Sequence, residues 1–138
     1  SHEDIVFCHR DYRIGNLMIE NGKLSSILDW EFSGVSAPEE DIAWLCAKCW
    51  LFGNNEREAG GLGSREAFYL GYQSETGRPV KRDRIFYWEV MAHVRWAVIA
   101  LHQAKRFLVN GDRNLELALT AHVVPQLELE IMQMTKSS

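Results

Sequence analysis

The sequence predicts an α+β fold, mainly α, with a short β-hairpin near its start. Three observations carry that expectation. An Asn21-Gly22 pair separates two short apolar runs, Leu17-Met18-Ile19 and Leu24-Ser25-Ser26-Ile27-Leu28, and this is a strong hairpin signal. Ile85, Trp88, Val90, Met91, Val94, Val98 and Leu101 recur at helical spacing along one long run. The polar and glycine-rich stretches fall between such runs rather than inside them.

Each element has its own justification. Ile5-Val6-Phe7-Cys8 reads as a first short strand. Leu17 to Ile19 and Leu24 to Leu28 read as the hairpin strands, turning at Glu20-Asn21-Gly22-Lys23. Ser36-Ala37-Pro38-Glu39-Glu40 reads as a helix start, with proline in the first turn and acids at the positive dipole end. That helix is expected from Asp41 to about Phe52. Residues 54–63 are polar, and Gly60-Gly61-Leu62-Gly63 reads as a flexible connection. Ser64-Arg65-Glu66-Ala67 opens a helix that ends near Thr76-Gly77, and Arg78-Pro79 links onward. A long helix is expected from Arg82 to about Val109, much of it buried, ending at Asn110-Gly111-Asp112. The last runs from Leu115 to about Met134, with Pro125 marking a break or kink.

Composition narrows the function classes. The 138 residues are one domain's worth, and 46% hydrophobic content can build a core. A net charge of −4 argues against nucleic-acid binding by bulk electrostatics. No run of about twenty apolar residues exists to span a membrane. Three cysteines make no disulfide framework and point to a reducing, cytoplasmic location. Cys46-Ala47-Lys48-Cys49 spells C-x-x-C, but no second pair or suitably spaced histidines accompany it, so both read as small core residues. Trp44, Trp50, Trp88 and Trp96 read as core packing, and His93 and His102 as structural.

One stretch carries chemistry. His9-Arg10-Asp11-Tyr12-Arg13-Ile14-Gly15-Asn16 spells H-x-D-x-x-x-x-N, and Asp29-Trp30-Glu31 follows the hairpin. A kinase-type phosphotransferase sets out its base and two metal ligands in that order. Asp11 suits the base that takes a hydroxyl proton. Asn16 offers a neutral carbonyl oxygen and Asp29 an anionic one, and Mg²⁺ prefers oxygen ligands. A hairpin joins its own ends, so Asn16 and Asp29 should lie side by side.

Together with Glu40-Asp41-Ile42-Ala43-Trp44-Leu45, these segments resemble the aminoglycoside phosphotransferase and choline kinase-like family, of protein-kinase-like fold. The resemblance is dense over the first third of the chain. It implies Asp11 as catalytic base, Asn16 and Asp29 as Mg²⁺ ligands, and ATP as phosphate donor to a small-molecule hydroxyl. His9 would be structural, and Asp41 would brace the catalytic loop through hydrogen bonds. Glu31 would reach the metal, directly or through water, or would cap a loop. Arg10 departs from the family, which often carries glycine there. Glu66, Glu89 and Trp96 stand as candidates for holding a cationic substrate.

The family's ATP-holding loop and lysine precede this region, and only eight residues precede His9. The expectation is therefore a helical C-terminal lobe over residues 1–138, without its N-terminal ATP-binding lobe and inactive alone. The alternative is a non-catalytic binding or oligomerisation module, a homodimer through the exposed lobe interface.

Overall fold

A computed structural model describes residues 5–51, 56–110 and 119–136. It is mixed α+β and predominantly helical. The chain divides into two compact units, residues 1–89 and 90–138.

Among its described residues, the first unit carries four strands in two separate two-stranded sheets. β2 (Leu17–Glu20) and β3 (Lys23–Ile27) pair antiparallel, with Leu17 opposite Ile27 and Glu20 opposite Lys23. Asn21 and Gly22 turn between them at φ 52° and 74°, the two positive values a tight hairpin turn requires. β1 (Val6–Cys8) pairs antiparallel with β4 (Gly34–Ser36), a strand the sequence did not announce. That pairing draws the segment after Asp29 back beside the entry to the His9 loop.

α1 (Pro38–Cys46) begins with proline in its first turn and Glu39, Glu40 and Asp41 at its positive end. It stops at Cys46 instead of running on to Phe52, which lies outside the described residues. Ala47 turns extended at φ −64°, ψ 135°, and Lys48–Trp50 re-form as one 3₁₀ turn. The break sets the Trp50 ring 5.5 Å from that of Trp44 and beneath the Arg13 guanidinium. Tertiary packing overrides the helix propensity of alanine there. Cys49 thus sits on the 3₁₀ turn, not on a helix with Cys46.

Gly60 to Gly63 form an ordered turn rather than a loose connection. Ala59 and Gly63 bridge, and Leu62 N–H donates to Ala59 C=O. Gly60 has φ 59°, and a Cβ there would lie 2.7 Å from Leu45 Cδ1. α2 (Arg65–Thr76) is capped at both ends: Ser64 Oγ accepts the Ala67 N–H, and Gly77 closes it at φ 67°. Ile42, Cys46, Ala59, Tyr69, Val80 and Ile85 make the core of this unit. Burying an isoleucine there contributes about 2 kcal/mol. Glu66 is held by Arg82 through two bonds of 2.6 Å, and Glu89 by Arg65. Neither carboxylate stands ready for a cationic substrate.

α3 (Arg82–Asn110) runs from the first unit into the second. The positions it buries in the second unit are Ala92, His93, Ala97, Ala100 and Ala104, while Met91, Val98 and Leu101 are exposed. α4 (Val124–Thr135) follows a 3₁₀ turn at Ala121–Val123. Pro125 lies in its first turn, where the missing N–H costs nothing. The expected start of this helix at Leu115, and Gly111-Asp112, lie outside the described residues. No described helix is long and apolar enough to cross a membrane.

Candidate active site

The site is built on the loop between β1 and β2. Asp41, on the first turn of α1, fixes that loop from below. One carboxylate oxygen accepts the His9 N–H and the other the Arg10 N–H, both at 2.7 Å. Burial is the largest influence on this carboxyl and pushes it above its usual range, against the two N–H donors. The clamp holds Arg10 at φ 66°, a left-handed conformation that glycine adopts freely. Arg10 offsets the strain through an ion pair from Nε to Glu40 Oε1 at 3.0 Å.

His9 is buried and braces two segments. Its Nδ1 accepts the Asp11 N–H at 3.2 Å, so the ring hydrogen resides on Nε2 and is donated to Leu28 C=O at 2.7 Å. The Trp30 ring packs on it, with centroids 4.6 Å apart. One imidazole thus ties the loop of Asp11 to the residue before Asp29.

Asp11 is the convergence point. Its Oδ1 accepts the Trp44 indole N–H at 3.1 Å. Its Oδ2 accepts the Asn16 amide at 2.8 Å and Arg13 Nε at 3.3 Å. The same Asn16 amide nitrogen donates to Asp11 C=O at 2.9 Å. Asn16 therefore spends its nitrogen on Asp11, and its Oδ1 accepts nothing from the described residues. Asn16 C=O accepts the Leu28 N–H at 2.8 Å, so the far end of the hairpin returns beside it. Asp29 follows at φ 67°, exposed, its carboxylate without a hydrogen-bond or ion-pair partner among the described residues. Glu31 is exposed on the 3₁₀ turn Trp30–Phe32, likewise without a partner, so neither a capping bond nor a bond to the site engages it.

Asn16 Oδ1 and the Asp29 carboxylate could hold a hard cation such as Mg²⁺. Two hard oxygens, one neutral and one anionic, are left over at adjacent strand ends, and Mg²⁺ takes few protein ligands and keeps its waters. No cluster of three or more His, Cys, Asp or Glu side chains stands ready for a metal among the described residues. Burial pushes the Cys46 thiol up to about 12. Cys8, behind the loop, is raised to about 12 by burial, with Asp41 and Glu40 adding to it.

A cavity of about 460 Å³ lies behind the loop, lined by Phe7, Cys8, His9, Tyr12, Asp41 and Tyr72 among others. Asp11, Asn16 and Asp29 are not part of its wall, so it is not where their chemistry converges.

Two residues at the site escaped the sequence reading. Trp44 was assigned to packing, and it is indeed buried, but its indole N–H reaches Asp11. The signal was its place three residues after Asp41, on the same helix face. Arg13 gave no signal beyond following Asp11 by two residues.

Residues 1–92 match the model of the APH family, described as a phosphotransferase enzyme family. That span includes the whole His9 loop, the hairpin and α1. No curated protein and no solved structure matches the chain. The match covers two thirds of the 138 residues, and the chain belongs to the APH phosphotransferase enzyme family.

Proposed function

We propose that the chain carries the catalytic loop of a phosphotransferase that moves a phosphoryl group from ATP to a small-molecule hydroxyl with Mg²⁺. The observation that carries this is the division of labour at Asp11. Its carboxylate is oriented by Trp44, Asn16 and Arg13, while the Asn16 side-chain oxygen and the Asp29 carboxylate have no partner among the described residues.

The mechanism follows from those positions. The acceptor hydroxyl docks against Asp11, which takes its proton as the oxygen attacks the terminal phosphorus. The new O–P bond forms as the bond to the leaving diphosphate breaks, and that diphosphate keeps the electron pair. Bound Mg²⁺ would neutralise phosphate charge. Asn16 Oδ1 and Asp29 would hold it. His9 and Asp41 keep the loop in place, because positioning and charge neutralisation dominate this chemistry.

The same proposal makes residues 1–138 a helical C-terminal lobe. Phe7, Ile19 and Val35 are 66%, 64% and 71% exposed, and Met18 and Leu24 join them. An N-terminal ATP-binding lobe would cover such apolar surface. The alternative, a non-catalytic homodimer, would use the same surface. A cytoplasmic location belongs with the proposal, since ATP is the donor.

The test is mass spectrometry of amino alcohols, sugars and aminoglycosides incubated with ATP, Mg²⁺ and the full-length gene product. One acceptor should gain a single phosphoryl group, and Asp11→Asn should abolish the gain. Transfer that persists undiminished in Asp11→Asn would reject the assignment. A tight dimer that transfers no phosphate would favour the alternative.

A further inference from the structure

We infer that Arg13 is a phosphate-binding residue, which grips the transferred phosphoryl group through the two terminal nitrogens of its guanidinium. The inference rests on the phosphotransferase reading and adds to it a cation that the motif does not specify.

Two contacts hold the side chain in place, and a glycine leaves it room. Nε lies 3.3 Å from Asp11 Oδ2. The guanidinium stacks over the Trp50 ring, 5.5 Å from its centroid. Gly15 leaves the room it occupies, since any Cβ there would overlap Arg13 Nη1. Nη1 and Nη2 have no acceptor among the described residues, and the side chain is 34% exposed. The fork is thus supported on one side and open to solvent.

An arginine serving only to neutralise Asp11 would present its fork in a bidentate pair. Here the contact is a single long one through Nε, and the fork is left over. That fork matches a phosphate in geometry and charge. It is also correctly placed. The Asp11 oxygen that accepts Arg13 Nε also accepts the Asn16 amide, so base, cation and candidate metal ligand meet at one atom. Charge in phosphoryl transfer spreads over the equatorial oxygens, and donors fixed beforehand stabilise it without reorganisation.

The consequence is selectivity for the terminal phosphate. The test is calorimetric titration of the full-length gene product with two Mg²⁺ complexes: ADP, and an ATP analogue whose terminal phosphate does not transfer. Arg13→Gln should weaken the ATP analogue at least about tenfold, the scale of one charged hydrogen bond, and ADP less than about twofold. Arg13→Lys should fall between. Gly15→Ala keeps the charge but displaces the fork, so it should show the same selective loss. Equal losses for both nucleotides, or unchanged affinity for the ATP analogue, would overturn the assignment. Wild type that binds neither nucleotide would overturn the phosphotransferase reading and Arg13's role with it.

Discussion

Replacing Arg10 by alanine should destabilise the protein, and replacing it by glycine should not. The Asp41 carboxylate claims the N–H groups of His9 and Arg10 together, both at 2.7 Å, with Arg10 at φ 66°. A non-glycine residue spends about 1 kcal/mol to sit there. The ion pair with Glu40 returns a similar amount. Arg10 is 42% exposed and Glu40 9%, so solvent screening holds the pair to about 1 kcal/mol. Alanine keeps the strain and loses the pair, a net cost of about 1 kcal/mol. Glycine loses the pair and relieves the strain, so the two changes nearly cancel. Urea unfolding reads the difference as midpoints at a shared slope. With a slope of about 1.5 kcal/mol per M, alanine should unfold about 0.7 M earlier than glycine. Coincident midpoints, or glycine below alanine, would mean that the Asp41 clamp imposes no left-handed strain on the loop.

Other consequences are as concrete. Trp44→Phe keeps a buried aromatic ring, though a smaller one, and removes the indole N–H from Asp11, so turnover should fall about tenfold at unchanged ATP affinity; unaltered turnover would return Trp44 to packing alone. Burial raises the Asp41 carboxyl above its ordinary value of 3.8, so the native state holds that proton more tightly than the unfolded chain. Its contribution to stability is full below 3.8 and is lost as pH rises through the folded value. The stability gap between wild type and Asp41→Asn should therefore narrow as pH rises; a widening gap would show the two N–H bonds outweighing burial. Cys8 and Cys46 are buried thiols, and Cys49 is more accessible. Iodoacetamide at neutral pH should add one label to the native protein, and rapid triple labelling would contradict the burial of the other two.

Much of this fold was legible because local chemistry dictates it. Asn21-Gly22 named its own turn, and Ser64 and Gly77 marked the ends of α2. The spacing from His9 to Asn16 was legible for the same reason, since a short loop brings its own polar groups together. What stayed hidden depends on distant partners. Nothing local in Gly34-Val35-Ser36 marks a strand, and β4 exists because β1 supplies its hydrogen bonds. Ala47 is a strong helix former, yet it ends α1, and the break lets Trp50 pack on Trp44. The apolar repeat of α3 gave its length but not its buried face, which alanines and His93 supply. The second role of Trp44 was invisible because a buried indole and a buried indole bonded to a base look alike in sequence.

The central claim is that Asn16 and Asp29 hold a divalent cation against ATP beside Asp11. Electron paramagnetic resonance of Mn²⁺, standing in for Mg²⁺, tests it directly. Relative to the same Mn²⁺–ATP mixture without protein, the full-length gene product should deplete the free Mn²⁺ signal further, and Asp29→Ala should add no depletion. Equal depletion by wild type and Asp29→Ala would contradict the account.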